Sequence, residues 1–190
     1  MDEKRVEELV SSADRDCEEA IKLLERGDIY DAAEKAWSAI EKIRKACLVA
    51  AKIPYEIAKT TSKGLPLFIK ILKALRRKDI LKTYMYLSQQ LHSLGFYERV
   101  IPESDLEDTI REDVPKWMQE TKPIIKVLER ADLSEVVSLL EEIDKTKQKI
   151  LRTTSEYLAL QQKLSQIITQ QISNTPKVPA HMEKSNHQNP

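Results

Sequence analysis

The sequence predicts an all-α protein: an antiparallel helical bundle of about five helices with a long C-terminal helical extension. Three observations lead to this prediction. Apolar residues recur every three or four positions along most of the chain. Glycine occurs only three times, and β-branched residues form only short runs. From Ser134 to about Ser173 the helical pattern continues without a glycine or a proline.

The stretch from Gly27 to Lys52 is the predicted centre of the bundle. Trp37 and Leu48 lie on faces adjoining its main apolar stripe, so this helix is apolar around much of its girth. Such a helix is typically contacted on two or more sides. Much of its apolar surface is alanine, which lets other helices approach closely, at Ala32, Ala33, Ala36, Ala46, Ala50 and Ala51.

The other helices of the bundle are delimited mainly by glycine and proline. Gly95 is expected to close the fourth helix, because glycine favours helix C-termini. Pro115 and Pro123 lie inside the pattern of the fifth helix and predict a kink or a break there. The expected ranges are about Asp2–Arg26 for the first helix, a short third helix ending near Arg77, Ile80–Leu94 for the fourth and Leu106–Leu128 for the fifth.

Composition divides the chain into three regions. The last residues contain almost no large apolar side chains, so they are expected to be disordered. The predicted regions are a helical bundle at residues 1–131, a long helix or helix pair at 132–173 and a disordered tail at 174–190.

The long C-terminal segment carries a partial heptad repeat. One heptad position is apolar at Ile143, Ile150, Tyr157 and Leu164, but the other half of the seam is polar in its middle. Two interpretations stay open: the segment packs its narrow stripe on its own bundle, or it forms an interface with a second copy. A break into two helices at Thr153–Ser155 also stays open.

Charge and hydropathy bear on the class of partner. The chain has 31 basic and 31 acidic residues, so no overall field selects nucleic acid or an anionic membrane. Its N-terminus is charged from the second residue, and no apolar run approaches the roughly 18 residues of a membrane span. We therefore expect a cytoplasmic protein without a membrane partner. Asparagine is absent before Asn174, which fits either a thermophilic source or chance.

Few residues are candidates for chemistry. We expect neither a cofactor nor a metal, because there is no glycine-rich phosphate loop and no Cys/His spacing typical of a metal site. Cys17 and Cys47 are interpreted as structural thiols. His92 is the one histidine before the tail, and a single histidine near a helix end is most often structural. As a catalytic candidate it needs an orienting partner, for which Tyr97 and Glu98 are the candidates.

One local basic cluster could hold phosphate or RNA. It consists of Lys73, Arg76, Arg77 and Lys78. A surface for single-stranded RNA would interleave exposed aromatic side chains with such residues, but the nearby Tyr84 falls on a core stripe. The commoner explanation of a cluster of this kind is a solvated face.

Two stretches resemble a known family. The alanine-rich helix Gly27–Ala51 is similar to the second helix of the PaREP family of archaeal helical proteins. The string LHSLGFYER, followed by an acidic helix, resembles the LH-x-x-FYE signature of that family. Here three residues rather than two separate His92 from Phe96. The resemblance covers roughly Val6 to Leu128.

The PaREP family in turn resembles the HEPN superfamily of small helical bundles, which often dimerise and include RNases and partners of nucleotidyltransferases. The HEPN catalytic signature places an arginine a few residues before a histidine on one helix. Here the nearest arginine before His92 is Arg77, fifteen positions earlier, so RNase activity is not implied.

The resemblance therefore favours a non-enzymatic HEPN-like interaction module, a homodimer that could also meet a protein partner through its long C-terminal helix. Whether the chain is an enzyme stays open. The alternative is an RNA-processing or nucleotide-binding HEPN-like protein that uses His92 with the basic cluster Lys73–Lys78.

Overall fold

The structure of the chain is a computed structural model that describes residues 2–130 and 134–173. Every regular element within these two ranges is a helix, so the predicted all-α class is confirmed. The chain divides into two compact units, residues 1–138 and residues 139–190. The predicted boundary between 131 and 132 and the predicted tail at 174–190 lie outside the described residues.

The first unit is a helical bundle. Five of its α-helices have ten or more residues, in agreement with the expected number. Two α-helices continue directly as π-helices, in which the backbone hydrogen-bonded ring holds one residue more than in an α-helix. The elements are α1 Asp2–Glu25, α2 Ile29–Ala50, α3 Tyr55–Ala58, α4 Gly64–Ala74, α5 Lys78–Leu87 with the first π-helix Ser88–Tyr97, α6 Glu103–Asp108 with the second π-helix Thr109–Asp113, and α7 Val114–Leu128.

Helix α2 is the centre of this bundle, as its sequence predicts. It contacts α1, α3, α4, α6, α7 and both π-helices. Its alanines are buried because they face these neighbours at close range. Gly27, in the left-handed region at φ 83°, makes the tight turn that sets α1 against α2.

A polar contact also ties α1 to α2. Asp16 is only 6% exposed and accepts a hydrogen bond of 2.7 Å from the hydroxyl of Ser38. Lys42 donates to the same carboxylate oxygen, and Nζ of Lys35 lies 3.2 Å from the other. Burial acts to raise the pKa of Asp16, but the hydrogen bonds from Lys42, Ser38 and Lys35 outweigh it and the pKa is lowered.

The interior of the bundle also holds Trp117 and Cys47. The Trp117 side chain is fully buried, and its Nε1–H donates to the carbonyl oxygen of Ile80 at 3.1 Å. Cys47 is fully buried and makes no disulfide, and burial raises the pKa of its thiol to about 12. Cys17, by contrast, is partly exposed.

The structure corrects the expected end of the fourth helix. Gly95 does not close it, because the helix changes from α to π at Ser88 and continues to Tyr97. Gly95 is instead buried inside the π-helix. The wider π turn accommodates the additional residue between His92 and Phe96 within the helix.

Neither proline of the fifth predicted helix breaks the helical run. The second π-helix leads directly into α7, and Pro115 lies in the first turn of α7, just after the helix type changes from π to α. The predicted break therefore does not occur at Pro115. Pro123 lies inside α7, which continues to Leu128.

Helix α8 is one continuous helix, Ser134–Ser173, and most of it belongs to the second unit. No break occurs at Thr153–Ser155. The hydroxyls of Thr153 and Thr154 donate to backbone carbonyls four residues earlier, at 3.0 and 2.9 Å, which satisfies them within the helix. Among the described helices none has both the length and the apolar character needed to cross a membrane.

Candidate functional site

His92 is held by a carboxylate and two aromatic rings. It lies in the first π-helix, and its Nδ1 is 3.0 Å from Oε2 of Glu34 on α2. Its ring stacks on that of Trp37 with centroids 5.6 Å apart and meets the Tyr97 ring edge-on at 4.8 Å. The side chain is 34% exposed, so His92 is accessible from solvent while its orientation is fixed.

Glu34, not Glu98, is the carboxylate that orients His92. Because the helix continues through Gly95, the chain does not fold back there. Among the hydrogen bonds of the described residues, none joins the Glu98 side chain to His92. The other candidate partner, Tyr97, does contact His92 through its ring.

The basic cluster is a surface at the junction of α4 and α5. Lys73, Arg76 and Lys78 are exposed. Arg77 donates to Asp79 through Nη2 at 2.7 Å and through Nε at 3.1 Å, and these bonds lower the pKa of Asp79 to about 2. None of the four cluster residues lines the cavity that His92 lines.

A buried polar cluster centres on Arg44. This side chain is 1% exposed and forms two parallel hydrogen bonds with Glu41, from Nε to Oε1 at 2.7 Å and from Nη2 to Oε2 at 2.8 Å. Nη1 donates to the carbonyl oxygen of Ala58 at 3.1 Å, and the Tyr84 hydroxyl donates to Glu41 Oε1 at 2.8 Å. The bidentate geometry and the added donors supply the partners that a buried ion pair needs.

The protonation states of Glu41 and Tyr84 follow from this cluster. Burial acts to raise the pKa of Glu41, but the hydrogen bonds and charge of Arg44, with the hydroxyl of Tyr84, outweigh it and the pKa is lowered. Burial and the Glu41 carboxylate raise the pKa of Tyr84 well above its usual range. At neutral pH Glu41 is therefore an ionised acceptor and Tyr84 a neutral donor.

These side chains surround a cavity of about 150 Å³. The lining residues of α2 are spaced by three or four positions, so they share one face, and α5 with the π-helix contributes every fourth residue. Pockets for drug-sized ligands usually measure about 300–1,000 Å³, so this cavity admits only a small molecule. It is lined by Trp37, Glu41 and Arg44 of α2, by Tyr84, Ser88 and His92 of α5 and the first π-helix, and by Thr61 and Leu65 near the start of α4.

Glu34, Glu41 and Arg44 had not been singled out from the sequence as site residues. For the ion pair a signal is present, because Arg44 lies four residues after Ile40 on an otherwise apolar face, with Glu41 at the spacing of a helical ion pair. No local signal identifies Glu34, since it lies 58 residues from His92 and the two meet only through the tertiary fold.

Helix α8 presents a second candidate surface, in the second unit. Ile150 and Tyr157 are each 59% exposed, and Leu151 and Leu158 are 61% and 56% exposed. Their spacing places them on one side of the helix. We call these four residues the apolar face of α8. Exposed charged residues occupy the opposite side, together with Leu160, which is 66% exposed; the charged residues are Glu142, Lys145, Lys149, Arg152, Glu156 and Lys163.

Comparison with known proteins identifies one family. The sequence model of the archaeal PaREP1/PaREP8 family matches residues 8–115, which is more than half of the chain and includes every residue that lines the cavity. Helix α8 lies beyond the match. No curated protein and no solved structure matches the chain. The chain belongs to the archaeal PaREP1/PaREP8 family.

Proposed function

We propose that the protein is a helical interaction module that forms a homodimer through the apolar face of α8. The observation that carries this proposal is the exposure of four large apolar side chains on one side of a helix whose other side is mainly charged. An amphipathic helix of this kind gains most of its stability from packing its apolar side against a partner.

The arrangement of the apolar face favours a second copy as the partner. Ile150 and Leu151 precede Thr154 by four and three residues, and Leu158 and Tyr157 follow it by the same intervals. In an antiparallel pair of α8 helices centred on Thr154, apolar side chains therefore oppose apolar side chains across a two-fold axis. The Thr154 hydroxyl already donates to the carbonyl oxygen of Ile150 in its own helix, so it would not be left without an acceptor at the centre of the interface.

The energetics are consistent with a reversible dimer. Full burial of one large apolar side chain is worth about 1.5–3 kcal/mol. Two copies contribute eight such side chains that are now more than half exposed. The free energy gained by burying them is comparable with the cost of association, about 4–15 kcal/mol, so we expect a dimer that dissociates on dilution.

The dimer is tested by measuring the mass of the full-length protein by size-exclusion chromatography with light scattering. We expect a dimer for the wild type, a monomer for Leu158→Glu and a dimer for Ala159→Glu. Ala159 is the matched control, because it is exposed on the charged side of the same helix turn. A wild-type monomer at all concentrations, or the same mass for both variants, would rule out this interface. Far-UV circular dichroism checks that both variants keep their helical content.

The HEPN-like relationship belongs to the same proposal. The helical bundle of the first unit supports it. A cytoplasmic location and a thermophilic source stay predictions from the sequence.

A second candidate function is acid–base processing of RNA at His92. The observation that favours it is the contact of 3.0 Å in which Oε2 of Glu34 can accept a hydrogen bond from Nδ1 of His92, because a carboxylate on one ring nitrogen prepares the other for proton transfer. The test is cleavage of a fluorescent single-stranded RNA by the wild type and by Glu34→Gln and His92→Gln. Cleavage lost in His92→Gln and reduced in Glu34→Gln supports the candidate; an inactive wild type contradicts it.

A further inference from the structure

The guanidinium of Arg44 has hydrogen-bonding capacity that the described residues do not use. Nη1 and Nη2 each carry two protons, yet each donates to one acceptor there, the carbonyl of Ala58 and the carboxylate of Glu41. Arg44 is 1% exposed and lines the cavity. Two N–H groups of a buried cation are therefore available to an oxygen acceptor within the cavity.

The chemistry of these groups favours a ligand group that only accepts hydrogen bonds, such as a carboxylate, because both are donors on a cation. The carboxylate that lines the cavity, that of Glu41, is already held by Arg44 and by the Tyr84 hydroxyl. The Glu34 carboxylate does not line the cavity and is engaged by His92.

The size and walls of the cavity limit the anion further. A water molecule occupies about 30 Å³ of liquid, so about 150 Å³ holds roughly five waters or an organic molecule of about five to eight non-hydrogen atoms. Ser88 and Thr61 offer hydroxyl donors, whereas Trp37 and Leu65 offer apolar wall. A mononucleotide is too large for this space.

We propose that this cavity binds a short-chain monocarboxylate. One carboxylate edge accepts hydrogen bonds from Nη1 and Nη2 of Arg44, in the two-point geometry that arginine favours with carboxylates. The hydroxyls of Ser88 and Thr61 supply the remaining donors, and the short alkyl chain lies against Trp37 and Leu65. The cavity is then a small-molecule site within the first unit.

The test is a titration of the full-length protein with sodium propionate at constant ionic strength, followed by ¹H–¹⁵N NMR of the Trp37 indole and the Ser88 amide. We expect saturable shifts with a dissociation constant of about 1–10 mM, the range for a ligand of this size. Propionamide has the same shape without the charge, and we expect it to bind at least about tenfold more weakly.

Two variants locate the site. Ser88→Leu fills the cavity and is expected to abolish the shift of the Trp37 indole. The matched control is Gln89→Leu, which adds leucine at the next, exposed position and is expected to bind like the wild type. If Ser88→Leu does not fold, Thr61→Val removes one donor at nearly constant volume and is expected to weaken binding severalfold. The proposal is overturned if neither signal shifts saturably at about 100 mM propionate, if propionamide binds equally well, or if Ser88→Leu folds and binds like the wild type.

Discussion

Arg44 and Glu41 form a buried two-point ion pair within one turn of α2, with both N···O distances below 3 Å. Around this pair the Tyr84 hydroxyl and the Ala58 carbonyl connect α2 with α5 and with α3. The pair is thus the point at which three helices meet through polar contacts. Both charged residues are needed for stability, because removing Arg44 or Glu41 alone leaves the other charge without its partner inside the bundle.

Replacing Arg44 by methionine is expected to destabilise the protein by about 2–3 kcal/mol, because the largely buried Glu41 carboxylate loses its two-point partner and keeps only the more distant Lys45, whose Nζ lies 4.0 Å from Oε2. Urea unfolding followed by circular dichroism measures this change in the free energy of unfolding. The double variant Glu41→Leu/Arg44→Met is expected to recover a substantial part of the loss. If Arg44→Met lowers the free energy of unfolding by less than about 1 kcal/mol, the ion pair between Arg44 and Glu41 contributes no more than a pair on the surface.

Stability is expected to fall in acid because of Asp16 and Glu41. Both pKa values are lower in the folded protein than the reference values of 3.8 and 4.5. The unfolded chain therefore binds protons more readily, and the stabilisation is present above the reference values and is lost as pH falls through the folded values. We expect a shallower loss below about pH 5 for Asp16→Asn, measured by urea unfolding from about pH 5 down to about pH 2. Equal slopes for variant and wild type would contradict this account of Asp16.

Gly95→Ala is expected to destabilise the protein by about 1–3 kcal/mol. A Cβ at this position would lie 2.8 Å from Cδ2 of Leu106 and would also clash with the carbonyl oxygen of Gln90. Ser93→Ala is the control, because Ser93 is exposed in the same π-helix and its change is expected to stay within about 0.5 kcal/mol. Thermal unfolding of the two variants side by side gives the comparison, and equal melting temperatures would mean that the π turn tolerates a Cβ here.

Trp117→Phe is expected to cost about 1–3 kcal/mol, because the Ile80 carbonyl loses its buried donor and the smaller ring leaves space. Chemical unfolding measures the loss. Val127→Ala on the exposed side of the same helix should change stability by less than about 1 kcal/mol. If the two variants lose the same amount, the hydrogen bond from Trp117 contributes little.

The features that follow from local pattern were predictable from the sequence. The central position of α2 follows from small and apolar residues at helical spacing, and α8 follows from forty residues without a helix breaker. The π-helices were not predictable in this way, since α and π turns differ by one residue and carry almost the same periodicity. The expected turn at Gly95 was wrong for this reason.

Only some residues of the candidate site could be predicted from the sequence. His92 and Tyr97 stand out in the sequence and do meet in the structure. Glu34 reaches His92 from a distant helix, and such a pairing depends on how whole helices pack. The basic cluster was visible in sequence because its members are neighbours there, yet the cation that lines the cavity is the isolated Arg44.

Because Cys47 is fully buried, the rate at which its thiol reacts can measure how often the bundle opens. The thiolate is the form of cysteine that attacks alkylating reagents, and a pKa of about 12 leaves almost none of it in the folded protein. Alkylation of Cys47 in a Cys17→Ser background therefore requires the helices around α2 to separate first. The labelling rate then reports how often the core is exposed under native conditions, without a denaturant.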